Sequence, residues 1–246
     1  MNAPWLVAMD WRDALFLHWR ADGAALARMI PSDLELDRYD GDAWVSIVAF
    51  RVAHARTRGA PAFAALRTFA EINVRTYVRD AEKSGVWFLS LDAADKAGVW
   101  AGRRLGLNYL SARIDCALNP AKYIYNAVRT DRRTTAAYLT AAARVDPAER
   151  TAAPNTLEHW LIERYAFFSS QGGRTKRGDV AHEPWPLHDA KPTFLEQTLL
   201  SSAHVVPLGT TPLAHASPGV SIHAWPLRGV RAAPAVSRSA PSTPAQ

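Results

Sequence analysis

The chain has a single cysteine, Cys116, so no disulfide can form within it, and that fits a reducing compartment. It also lacks long apolar runs. Apolar segments such as Ala43 to Phe50 fall far short of the roughly 20 residues a membrane helix needs. Its first positive charge is Arg12, with no basic region ahead of an apolar one, so no secretory leader is expected. A nucleophile elbow G-x-S-x-G, a P-loop, a G-x-G-x-x-G fingerprint and an H-E-x-x-H helix are all missing. Their absence removes the commonest hydrolase, nucleotide and zinc-protease readings.

What is present describes a folded β protein. Hydrophobic residues make up 48% of 246, with 9 Trp, which excludes a disordered chain. The net charge of +6 invites a nucleic-acid reading. However, the arginines are spread along strands and loops, the clusters Arg129 to Arg133 and Arg174 to Arg177 are short and interrupted, and no helix-turn-helix, zinc finger or RNA-binding aromatic signature accompanies them. An ordinary basic surface is the expectation.

The stretch that organises the chain is FAEINVRTYVR, Phe69 to Arg79. Ile72, Val74, Thr76 and Val78 alternate with Glu71, Asn73, Arg75 and Tyr77, so a period-2 strand sends the two sets to opposite faces. The polar face is either solvated or the wall of a pocket.

Around it, ALFLHWR (Ala14 to Arg20) alternates in a way that suits a strand covered on both sides, with Arg12 on the face of Phe16 and His18. Asp22 caps a helix through Ile30, and strands at Leu34 to Asp37 and Ala43 to Val52 flank an Asp-Gly turn. A loop spans Ala53 to Arg67, and Val86 to Leu91 pairs back on the central strand. Asp92 caps a helix from Ala93 to about Leu105. On it Gly98, Gly102 and Gly106 form one stripe, offset by close helix-on-sheet packing. A hairpin over Ala112 to Arg129, a strand at 136–145, a helix from Leu157 to about Tyr165, a hairpin at Gly172-Gly173 and a last strand at Val220 to Trp225 complete the expectation. His182, Glu183 and His188 are close in sequence, but the stiff Pro184-Trp185-Pro186 points to structural or surface roles rather than a metal site. Cys116 reads as a small core residue, between Ile114 and Leu118.

LFLHWRAD, LELDRYDGDAWVSIVAFRV, FAEINVRTYV, GVWFLSLDAA, AGRRLGLNYLSARI, LEHWLIERY and HEPWPLHDA together resemble the bacterial domain of unknown function 2071 family, of the acetoacetate-decarboxylase-like superfamily. The resemblance runs from about Asp10 to Val230. It implies an α+β, mainly antiparallel β fold: a bent, cone-like β-barrel with a few surrounding helices and an internal cavity. Residues 1–231 would form a single domain and 232–246 a disordered Ala/Pro/Ser tail.

Acetoacetate decarboxylases attack a ketone with one lysine of an adjacent pair. In the similar segment here Asn108 stands where their proline would be, and Tyr109 and Leu110 where the lysines would be, so Schiff-base chemistry is not expected. The five lysines, Lys83, Lys96, Lys122, Lys176 and Lys191, lie in turns, loops or a helix start and offer no obvious substitute. The resemblance keeps Arg12 and Glu71 as counterparts of pocket residues. It also favours a cavity over solvent for Glu71, Asn73 and Arg75.

The expected function is to bind a small organic acid or carbonyl compound in the cytoplasm. The alternative is a decarboxylase-like lyase or an isomerase-like enzyme using Glu71 as acid or base. Ligand contacts are assigned to Arg12, Asn73, Arg75, Tyr109 and Arg113. The reading needs no cofactor, no metal, no nucleic acid and no membrane, and it leaves open a homo-oligomer.

Overall fold

Apolar and β-branched runs bounded by turn residues give this chain strands rather than helices. The computed structural model describes residues 4–59 and 68–230. Its strands are β1 (Val7–Ala21), β2 (Glu35–Leu36), β3 (Ala43–Thr57), β4 (Phe69–Arg79), β5 (Ser84–Ala93), β6 (Tyr109–Asn119), β7 (Lys122–Arg129), β8 (Tyr138–Arg150), β9 (Ala166–Gln171), β10 (Arg174–Ala181), β11 (Leu187–Gln197), β12 (Leu213–Ala224) and β13 (Arg228–Gly229). The helices are short: α1 (Gly23–Ala27), α2 (Lys96–Arg104), α3 (Leu157–Ile162) and α4 (Leu199–Ser202). Among the described residues no helix is long and apolar enough to cross a membrane.

All these strands join one sheet, antiparallel except where β5 meets β6 and β9. Two strands fork. β5 holds β4 along one edge and divides the other, pairing Val86 and Trp87 with β9 and Leu91 to Ala93 with β6. β12 holds β1 along one edge and divides the other between β11, at His215 and Ala216, and β10, at His223 and Ala224. The sheet therefore closes on itself twice, through β6-β7-β8-β11 on one side and β9-β10 on the other. The expected single bent barrel is thus met as a ring of strands rather than a clean barrel.

The five strands common to both closures bury both faces. Leu15, Leu17, Val45, Ile47, Ile72 and Val74 enter one interior, and Phe16, Val48, Phe50, Tyr77, Val220 and Ile222 enter the other. This double burial explains the near-continuous apolar runs of β1 and β3. It also means that the polar face of β4 has an interior to look into.

In β1 the alternation expected from the sequence breaks at Asp13, which adopts φ 55 and shifts the register against β3 between Arg12 and Leu15. One extra residue in a strand flips every side chain beyond it. Trp11 therefore shares an interior with Phe16, and Arg12 does not. Gly219, opposite Arg12, accommodates the kink: it has φ 123, and a Cβ there would meet the Trp11 carbonyl oxygen at 2.0 Å.

Other expectations shift locally. The Asp22 cap holds, but α1 stops at Ala27. Asp95 caps α2 in place of Asp92, which is buried in a bidentate ion pair with Arg129 at 2.7 and 2.8 Å. Strand β3 runs to Thr57, into the span expected as a loop, and 60–67 lie outside the described residues. The strand expected at 136–145 is met as β8, which starts at Tyr138 and runs on to Arg150. Cys116 is exposed rather than in the core, because beyond Ser111 β6 has parted from β5 and pairs with β7 alone. The expected 232–246 tail lies outside the described residues.

Candidate functional site

The polar residues Glu71, Asn73 and Arg75 of β4 line a cavity of about 390 Å³ inside the β9-β10 closure. That size lies within the range of small-molecule pockets, roughly 300–1,000 Å³. Most of the remaining wall is apolar, with Trp11, Phe16, Phe50, Phe88, Phe167 and Trp185 among the largest contributors.

Tyr109 joins Glu71 from the start of β6. Its hydroxyl donates to the Glu71 carboxylate at 2.8 Å. The glycine stripe on α2 makes this placement possible: a Cβ at Gly102 would stand 2.1 Å from the Tyr109 ring, and one at Gly98 would stand 3.1 Å from Phe69. The Arg103 guanidinium donates to the Tyr109 carbonyl at 2.9 Å and pairs with Asp131, which fixes the backbone at that point.

Glu71 is only 4% exposed. Burial pushes its carboxyl up to about 7; the Tyr109 hydrogen bond pulls it down and the Asp92 charge pushes it further up. Burial likewise holds the Tyr109 hydroxyl well above its ordinary value, with the Glu71 charge adding to it. The carboxyl thus sits where a proton can be held or released near neutrality, as acid–base work requires.

Elsewhere on the cavity wall two guanidiniums stand on the C-terminal carbonyls of α3. Arg75 Nη2 donates to the Leu161 carbonyl at 3.2 Å, and Arg164 Nε to the Trp160 carbonyl at 2.6 Å. Both lie over the Tyr77 ring, at 5.8 and 4.9 Å from its centre. That ring is anchored in turn, since the Tyr77 hydroxyl meets Ser46 Oγ at 2.6 Å and Ser46 meets His18 at 2.6 Å. Burial, reinforced by the charges of His215 and Arg75, holds His18 well below its ordinary value and therefore neutral. Arg164 has a counter-ion, Asp37 at 2.7 Å, whereas Arg75 makes no ion pair among the described residues. His182 Nδ1 donates to the Glu183 carbonyl at 2.7 Å, which leaves Nε2 as the acceptor of the neutral ring.

The sequence profile of the domain of unknown function 2071 family, an uncharacterized conserved protein, matches residues 8–221. The chain belongs to this family. A relative, the uncharacterized protein YqjF of Bacillus subtilis (strain 168), is 33% identical over 225 residues, covering 91% of this chain and 92% of that protein. Several solved structures share the fold of this member of the domain of unknown function 2071 family. The enduracididine biosynthesis enzyme MppR, complexed with the condensation product of pyruvate and imidazole 4-carboxaldehyde, has a TM-score of 0.63 at 14% identity, over 93% of this chain and 90% of that one. Acetoacetate decarboxylase from Legionella pneumophila has 0.63 at 13% identity, over 94% and 92%. An acetoacetate decarboxylase-like enzyme from Sphingomonas wittichii RW1 has 0.62 at 13% identity, over 94% and 95%.

Of the site residues expected in this family member, the fold brings Glu71, Asn73, Arg75 and Tyr109 together at the cavity. Two expectations are corrected. Arg12 points outward and pairs with Asp10 at 2.8 Å, because the bulge at Asp13 gives its place to Trp11. Arg113 is exposed, since β6 follows β5 only as far as Ser111 and then carries Arg113 away along β7.

None of the five lysines lines the cavity; Lys83 binds the Tyr165 carbonyl and Asp179 instead. Arg164 and His182 do line it, although the sequence assigns Arg164 no role in the site and His182 a structural or surface role. Arg164 was visible only as a helix-spaced residue near α3, and nothing local showed that the HEPWP loop would fold His182 inward. Among the described residues Glu158, Asp189 and His215 bring potential metal-ligand atoms within 4.8 Å of one another. Arg150 already donates to both carboxylates, at 2.5 to 2.6 Å, so one of their two charges is offset without a metal ion.

Proposed function

We propose that this protein binds a small organic acid or carbonyl compound in its cavity without Schiff-base chemistry. The observation that carries the reading is Arg75, a guanidinium lining a largely apolar cavity with no ion partner among the described residues, in the same cavity as a carboxyl group that burial pushes up to about 7. A buried charge without a partner is costly, and an incoming carboxylate supplies the partner in bidentate form. The neighbour MppR, whose complexes hold pyruvate or a pyruvate-derived product, supports the choice of ligand class. The place similar to the decarboxylases' lysine pair holds Tyr109 and Leu110, which offer no amine to a ketone.

A thermal-shift screen of keto acids and aromatic acids tests this. Stabilisers are expected whose effect disappears in Arg75→Ala and weakens in Glu71→Gln. A broad screen without a hit would overturn the reading, as would a mass adduct after borohydride treatment with a keto acid.

The Glu71–Tyr109 hydrogen bond favours a second reading, that of a decarboxylase-like lyase or isomerase-like enzyme. In that reading Glu71 moves a proton at the carbon beside a carbonyl while Tyr109 hydrogen-bonds the developing enolate oxygen. Turnover that persists unchanged in Glu71→Gln would remove that mechanism. For either reading the cytoplasm is the proposed compartment.

A further inference from the structure

The cavity opens where its lining residues reach solvent: Leu6, Arg56, Thr57, Ala101 and Leu105 all line it and are exposed. Inward from that mouth β3 and β4 run side by side along its wall, with Val52 opposite Phe69, Phe50 opposite Glu71 and Val48 opposite Asn73. Arg75, opposite Ser46, stands at the far end. From Arg56 to Ser46 the strand covers about 30 Å, at about 3.3 Å per residue. A charge in salt water acts over about 8–10 Å at ordinary ionic strength, so Arg75 does not attract an anion that is still outside the mouth.

Two nearer cations are placed to do so. The Arg56 and Arg58 guanidiniums lie 5.5 and 5.3 Å from the centre of the Trp5 ring, which packs on His223 at 5.1 Å. Backbone bonds fix this corner: the Arg58 amide donates to the Leu6 carbonyl and the Leu6 amide to the Ala224 carbonyl, each at 2.8 Å. Neither guanidinium makes an ion pair or a hydrogen bond among the described residues. Asp10, the first acid along β1 from there, is taken by Arg12 and His54, each at 2.8 Å. Unpaired cations beside an apolar opening concentrate their field on it.

Resting on the reading of the cavity as the site of an organic acid, we infer that Arg56 and Arg58 form a separate anion-capture site at its mouth. They take the carboxylate on arrival, and Arg75 keeps it. A small acid cannot touch both ends of a path of about 30 Å, so the two sites act in sequence. Groups that stabilise only the passage speed entry and exit alike and leave the affinity as it was.

The test is stopped-flow mixing of the full chain with phenylacetate and, in parallel, pyruvate. Trp11 and Trp185 in the cavity wall supply the fluorescence signal, and calorimetry gives Kd. Measurement at about pH 6 keeps Glu71 mostly protonated. In the double variant Arg56→Gln/Arg58→Gln the association rate should fall about tenfold at low salt. The dissociation rate should fall by the same factor, with Kd within about twofold of wild type. The double variant Arg56→Lys/Arg58→Lys should keep most of the wild-type rate, because capture needs charge at the mouth. At about 0.5 M salt the three chains should converge. An association rate unchanged in the glutamine variant would overturn the inference and leave the cavity reading standing. A Kd that weakens as much as association slows would do the same, since it places the bound carboxylate at the mouth. Binding of neither acid to the wild-type chain would overturn both.

Discussion

Rising pH should cost this protein stability through one side chain, Glu71. Its carboxyl titrates at about 7 in the fold against an ordinary 4.5, so between those values the folded chain holds a proton that the unfolded chain has released. Stability from this group is therefore complete below about 4.5, falls as pH rises from there, and levels off above about 7. At about 1.4 kcal/mol per pH unit, the span amounts to roughly 3 kcal/mol. Glu71→Gln keeps an acceptor for the Tyr109 hydroxyl but cannot ionise, so its stability relative to wild type should improve by that amount between pH 4.5 and 8.5. Urea unfolding of both chains across that range measures the difference directly, since every other titrating group is common to them. In thermal melts the gap should open by on the order of 10 °C. A difference that stays flat across the range, or that narrows, would refute the claim that burial dominates the Glu71 environment.

Removing the hydroxyl in Tyr109→Phe takes away the one hydrogen bond that favours the ionised carboxylate, so Glu71 should titrate above its wild-type value; NMR of the labelled carboxyl carbon reads this. Gly102→Ala drives a methyl group into the Tyr109 ring and should cost about 1–3 kcal/mol by urea unfolding, with a similar rise in the Glu71 titration. Binding of a carboxylic acid should weaken as pH rises through 7 and Glu71 ionises in the same cavity, by calorimetry over pH 6 to 9. Arg12→Ala and Arg113→Ala, both outside the cavity, should change ligand affinity by no more than about twofold.

The strand pattern carried much of this structure. Period-2 alternation in β4 separated Glu71, Asn73 and Arg75 from Ile72 and Val74, and the fold sends the two sets into different interiors. What alternation alone left open was whether the polar face met water. That depends on β9 and β10 closing over it, pairings between residues far apart in the chain that no local pattern encodes.

Arg12 was misplaced for a similar reason. A single residue at φ 55 inverts the strand's alternation, and the Asp at position 13 does not announce it in the sequence; Gly219, opposite Arg12 and some two hundred residues on, is a second trace. Arg113 is carried away by a strand that changes neighbours, and His182, whose expected role is structural or at the surface, lines the cavity ahead of the stiff Pro184-Trp185-Pro186 loop. The glycine stripe was legible as close packing, although not as the space that lets Tyr109 stand beside Glu71.

The central claim is that a carboxylate is held by Arg75 in a cavity that offers no amine. A crystal structure of the protein with a bound aromatic acid tests it most directly. The account predicts carboxylate oxygens within hydrogen-bonding distance of the Arg75 guanidinium and no covalent bond from the ligand to any lysine. An acid bound outside the cavity, or joined to a lysine nitrogen, would contradict it.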